Sequence, residues 1–139
     1  MPHPTPSDLH ALFNNLSSSG TRSKFFDRVA DDVDWTITGT NALSGHYASK
    51  KEFVDKALGT VNGVLENPQG LELRVLNIVA GEEGEWAAVE LRADQRARNG
   101  MQYNQEYVWM CRFDQRGMIV QVRAYYNGNL LNQVLEQNA

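Results

Sequence analysis

Cysteine is almost absent. Cys111 is the single one among 139 residues, so no disulfide can form within the chain. Histidine is scarce too, and His3, His10 and His46 stand at no spacing that a tetrahedral metal site uses. No run of about 18 apolar residues occurs. The opening Met1-Pro2-His3-Pro4-Thr5-Pro6 lacks the basic stretch and apolar run of a secretory leader. The expectation is a soluble, cytoplasmic protein with no membrane partner. Basic side chains are in deficit, 13 Lys and Arg against 17 Asp and Glu, for a formal net charge of -4. This argues against an affinity for nucleic acid built on neutralised phosphates, and no nucleic-acid partner is expected. Glycine-rich phosphate loops, parallel βαβ units and internal repeats are missing as well, which disfavours dinucleotide binding.

Hydrophobic residues make up 42% of the chain and charged ones 22%, enough for one globular core and too little length for two domains. The reading is one domain over 1–139, with 1–6 a flexible tail. Ser7 can cap a helix in which Leu9, Leu12, Phe13 and Leu16 fall at i, i+3, i+4 and i+7. A second short helix carries Phe25, Phe26 and Val29 and ends before Asp31-Asp32. Ser49 and Glu52 have the spacing of a capping box, which starts a third helix lined by Phe53, Ala57 and Val61.

From Leu71 the apolar period changes from near 3.6 to 2. Strands are expected over 33–38, 71–80, 85–98, 101–114 and 118–126. Asn99-Gly100 is expected to form a two-residue hairpin turn, because both central positions of a type I′ turn need positive φ. Leu130, Leu131, Val134 and Leu135 suit a terminal helix over an open end. The fold class is α+β: a cone-shaped, curved, mainly antiparallel sheet whose N-terminal helices enclose a pocket. Strands this long must twist and curl.

The stretches Ala30–Thr36, Leu43–Tyr47, Asn99–Trp109 and Gly117–Tyr126, in that order, resemble the SnoaL-like branch of the nuclear-transport-factor-2-like superfamily. That superfamily includes polyketide cyclases, ketosteroid isomerases and limonene epoxide hydrolases, and members with no chemistry, so fold alone does not fix the reaction. The resemblance implies a small hydrophobic cyclic ligand held without metal or organic cofactor. It also implies acid/base chemistry of isomerase, cyclase or dehydratase type in secondary metabolism. The alternative is a non-catalytic binding or accessory domain of the same fold. Many relatives carry an Asp at the end of the last strand, where this chain has Asn127. An amide cannot take a proton at neutral pH, so Asn127 is left to orient a carbonyl or a water.

Glu90, Arg92, Asp94 and Arg96 share one face of a strand, opposite Val89, Leu91 and Ala93. Two readings stay open for them. They form a solvated or subunit-facing charge ladder, or, as the resemblance implies from an Arg-x-Asp pair of the epoxide hydrolases whose order of charges is reversed here, they point into the pocket with Glu90 as the catalytic carboxylate and Arg92 setting its charge. Tyr107 supplies a hydroxyl that can stabilise negative charge on a substrate oxygen. Trp35, Trp109 and Tyr125, like Tyr107, are expected as core or as pocket wall, and His46 as a surface turn residue or a titrating group at the pocket. Neither face of the 101–114 strand is cleanly polar, which predicts a homodimer covering its outer side.

Overall fold

The structure is a computed structural model and describes residues 4–139. Helix α1 (Pro6–Phe13) begins earlier than the sequence predicts. Thr5, not Ser7, is the cap: its side chain accepts from the Asp8 amide while the Asp8 carboxylate accepts from the Thr5 amide. Pro6 sits at the first helical position, where its missing N–H costs nothing. The expected tail is thereby shortened, and its residues 1–3 lie outside the described residues. A 3₁₀ turn (Asn14–Ser17) and the short helix α2 (Arg22–Phe26) follow.

Six strands form one sheet in the order β2-β1-β6-β5-β4-β3, antiparallel except for the parallel β1–β6 pair. Strand β1 (Val29–Ile37) starts four residues before the alternation at Val33 indicates. Its register with β6 shifts between Val29 and Asp34, so Asp31 and Asp32 both face solvent. Strand β2 is short (Gly45–Tyr47). Ser49 then caps a continuous helical run: α3 (Lys50–Glu52), a π-helical stretch (Phe53–Leu58) and α4 (Gly59–Val64).

Strands β3 (Arg74–Ala80), β4 (Trp86–Arg96), β5 (Gln102–Phe113) and β6 (Ile119–Tyr126) make the meander. The β4–β5 connection is not a type I′ turn. Only Gly100 has positive φ, the Gly100 amide donates to Ala97 O, and Ala97 N donates to Met101 O. This is a three-residue loop whose glycine takes the left-handed position. Helix α5 (Gly128–Gln137) closes the end, burying Leu131 and Val134.

Alternation decides which side of the sheet is inside. Val89, Leu91 and Ala93 of β4, Tyr103, Gln105, Tyr107, Trp109, Cys111 and Phe113 of β5, and Val122 and Ala124 of β6 are all buried against the helices. Each fully buried large apolar side chain contributes about 1.5–3 kcal/mol relative to exposure. The concave face therefore holds both the core and the space left within it.

Candidate functional site

Between the concave face and the helical layer lies a cavity of about 50 Å³, several times what one water requires. Its walls are mostly aliphatic and aromatic. Phe53, delivered by the π-helical stretch, stacks on Trp35 with ring centroids 3.7 Å apart, and Trp109 meets Trp35 edge-on at 5.1 Å. The edge-on contact suits the ring quadrupoles, whereas the nearly face-to-face stack is held by dispersion and burial against them. The indole N–H of Trp35 is buried and has no acceptor among the described residues. An unmet donor of this kind costs about 1–3 kcal/mol, so an acceptor reaching it gains correspondingly.

Three tyrosines bring the hydroxyls. Tyr103 and Tyr107, two pleats apart on β5, place their oxygens 3.0 Å apart. A pair of hydroxyls holds two protons and uses one for this bond, which leaves the other free to donate. Tyr126 lies opposite Tyr107 in register, stacks on it at 5.4 Å, and donates to Asn41 Oδ1 at 2.8 Å. Burial is the main cause that raises all three phenols above the ordinary tyrosine range. For Tyr107 the neighbouring Tyr103 adds to the effect. All three are therefore neutral donors at physiological pH. Arg22 is the one charged side chain in the lining among the described residues, and its Nη2 donates to Gln69 O at 2.9 Å and Leu71 O at 2.7 Å.

Of the residues singled out in the sequence, Trp35, Trp109 and Tyr107 line this cavity. The others do not. Glu90 is exposed on the outer face, because β4 turns Val89 and Leu91 inward. Arg92 is beside it, its Nε 2.7 Å from Asp94 and its Nη1 2.9 Å from Glu106. Arg74 completes that surface ladder at 2.9 Å from Asp94, and its hydrogen bond is the first cause holding the Asp94 carboxyl below its ordinary value. His46 is exposed on β2 and pairs with Asp34 at 2.7 Å. Tyr125 points outward, its hydroxyl accepting from Arg123 Nε at 3.2 Å. Asn127 is occupied as the cap of α5, where its Oδ1 accepts from Leu130 N. Its backbone is clamped by buried Gln105, which donates to Asn127 O and accepts from Asn127 N, both at 2.9 Å.

Tyr103, Tyr126 and Arg22 belong to the lining and were not among the sequence candidates. The tyrosines could have been found from their parity with Tyr107 and Ala124. Cys111 is buried, and burial pushes its thiol up, away from nucleophile chemistry.

No family model matches the chain. A dimerizing cyclase, phiC, from Fungal sp. (strain ATCC 74256) is 24% identical over 127 residues, 91% of this chain. The chain spans 55% of that relative's length. Among solved structures, an NTF2-like protein from Burkholderia thailandensis superposes with a TM-score of 0.75 at 17% identity, over 95% of this chain and 98% of that one. TerC, co-crystallised with polyporic acid, gives 0.70 at 16% identity, over 92% and 97%. A steroid delta-isomerase from Pseudomonas aeruginosa gives 0.57 at 20% identity, over 95% and 83%. The chain shares the fold of these NTF2-like structures, the fold that its SnoaL-like resemblance implies. No helix among the described residues is long and apolar enough to cross a membrane.

Proposed function

We propose that this protein is a cofactor-independent enzyme of isomerase or cyclase type, acting on a small, apolar, cyclic molecule with a carbonyl oxygen. The observation that carries this reading is that Tyr103 and Tyr107, whose hydroxyls pair, both line an aromatic cavity. A phenol kept neutral by burial donates to a carbonyl oxygen more strongly as that oxygen gains negative charge, and it does so in a medium that screens poorly. Trp35, Phe53 and Trp109 fix the ring body of the substrate. Among the described residues the lining contains no Asp, Glu or His, so Tyr107 acts by polarising the oxygen, and the proton acceptor is water or the substrate itself. The cyclase and isomerase among the relatives support the class and leave the substrate open.

That same lack of a side-chain base favours one second reading, a binding domain without chemistry. A single probe separates the two. With 2-acetylnaphthalene in deuterated buffer, an enzyme exchanges the acetyl methyl protons faster than buffer does, and Tyr107→Phe lowers the exchange rate by about 10²-fold, the loss typical of an oxyanion donor. Saturable binding without exchange supports the binding domain. Absence of binding overturns both readings.

A homodimer through the outer sheet face is also part of this proposal. Val108, Met110 and Arg112 are only half-buried there, and Leu76, Val79 and Tyr125 are exposed apolar groups. Light scattering at micromolar concentration tests it, and a mass of one chain removes it.

A further inference from the structure

We propose that Asn99 is a site of spontaneous deamidation, and that its conversion to a carboxylate undocks the last turn of α5. The chain has three Asn-Gly pairs, at 62–63, 99–100 and 127–128. In such a pair the glycine amide nitrogen attacks the asparagine Cγ, and with no Cβ on the glycine nothing crowds the approach. The new N–Cγ bond closes a five-membered succinimide as the Cγ–Nδ2 bond breaks, and Nδ2 leaves as ammonia with the proton that the amide gives up. Water then opens the ring. Addition at Cγ leaves an aspartate, and addition at the main-chain carbonyl leaves an isoaspartate, whose backbone runs through Cγ. Nothing is oxidised or reduced, and water is the only co-reactant.

The fold treats the three pairs unequally. Asn62 is half-buried within α4, where its Oδ1 accepts from Leu71 N at 2.9 Å. Asn127 caps α5 between the two bonds of Gln105, so ring closure there has to twist a backbone held on both sides. Asn99 and Gly100 are both exposed at the tip of the β4–β5 loop, a place that opens locally at little cost. The Asn99 Oδ1 accepts from Met101 N at 3.0 Å, which folds the side chain forward over Gly100, and closure has to release Gly100 N from Ala97 O. The same residue fastens α5. Asn99 N donates to Asn138 Oδ1 at 2.9 Å, and Asn99 Nδ2 donates to Gln137 O at 3.3 Å, one of the carbonyls that a helix cannot pair within itself. The last turn of α5 has no basic residue to balance its negative end. A carboxylate at 99 loses the donor and sets an acceptor against the Gln137 carbonyl, with the helix dipole opposing it. An isoaspartate adds a backbone atom to a three-residue loop and shifts both contacts.

Ageing the protein in mildly alkaline buffer, and mapping the amide-to-acid mass gain by peptide mass spectrometry, tests the site. Asn99 is expected to convert on the order of tenfold faster than Asn62 and Asn127, the ratio that a difference in local opening sets, whereas in urea the three pairs should react at similar rates. Earlier conversion at 62 or 127 overturns the assignment. So does an Asn99 that stays intact while the urea-unfolded chain converts, or the same preference for Asn99 in urea, which would make it a property of the local sequence alone. Hydrogen exchange tests the consequence. Asn99→Asp should speed exchange on the order of tenfold at the amides of 134–137 and leave the Leu131 amide near its wild-type rate. Should that variant not fold, the aged wild-type protein carries the same product and is measured in its place. Unchanged exchange across α5 overturns the undocking.

Discussion

Asn127 shows how a residue at the position of an expected catalytic group comes to serve structure. Its side chain closes an open amide of α5, and its own backbone is gripped on both sides by Gln105. Loss of an N-cap costs about 1 kcal/mol. Asn127→Ala should therefore lower the unfolding free energy by about that amount, Asn127→Ser should retain most of it, and neither should change affinity for a cavity ligand. Urea melts with and without the acetylnaphthalene probe would show it. A drop in affinity without a drop in stability would return Asn127 to the site. The aromatic site residues were legible because Tyr107 and Trp109 lie on one period-2 face. The choice between surface and pocket stayed open for Glu90, and Tyr125 was expected inside, because alternation separates two faces without saying which is concave; His46 lies at the surface, one of its two readings. Arg22 was illegible for a different reason: its partners Gln69 and Leu71 are 47 and 49 residues away, beyond any local pattern.

Among the elements, the 38–44 loop between β1 and β2 is held by contacts that no propensity indicates. Asn41 Oδ1 accepts from Tyr126 and from the Leu43 amide, and Ala42 N donates to Asn132 Oδ1 on α5. Leu43 is thereby pressed into the cavity wall. Gly128 makes room for this arrangement, since a Cβ there would come 2.8 Å from the Asn41 Cβ and 2.7 Å from its Nδ2. Helix propensity alone would make Gly128→Ala stabilising by about 1 kcal/mol. The overlap reverses the sign, and a net loss of about 1–3 kcal/mol is expected, with faster hydrogen exchange at the Leu43 amide. A raised melting temperature in Gly128→Ala would contradict the packing of this loop. The strand boundaries of β4 and β5 were readable to within two residues because Val89 to Ala93 and Tyr103 to Phe113 alternate without interruption. The start of β1 was not, because the bulge at Asp31-Asp32 interrupts the period.

For the whole molecule, the buried phenols couple stability to alkaline pH. Tyr47, Tyr103, Tyr107 and Tyr126 all have raised folded-state pKa values, chiefly through burial. An unfolded tyrosine ionises near about 10, so above that pH the unfolded chain releases protons that the folded chain keeps. The stability contributed by these groups is complete below about pH 10 and is lost as pH rises through the folded values. Urea midpoints should fall between pH 9 and pH 11, and the fall should be smaller in Tyr107→Phe. A midpoint constant across that range would mean that the hydroxyls are reached by solvent.

The edge-on contact of Trp35 with Trp109 gives the protein an optical property as well as a wall. Two indoles this close and far from parallel share their electronic excitations, so their absorption acquires a handedness set by the angle between the rings. Trp86, the third tryptophan, lies on β4, with the Arg112 guanidinium 6.0 Å from its ring centroid, and is outside the cavity lining. A molecule that enters the cavity and tilts either ring changes that handedness directly. The protein thus carries a built-in reporter of occupancy, confined to the cavity and readable without a label.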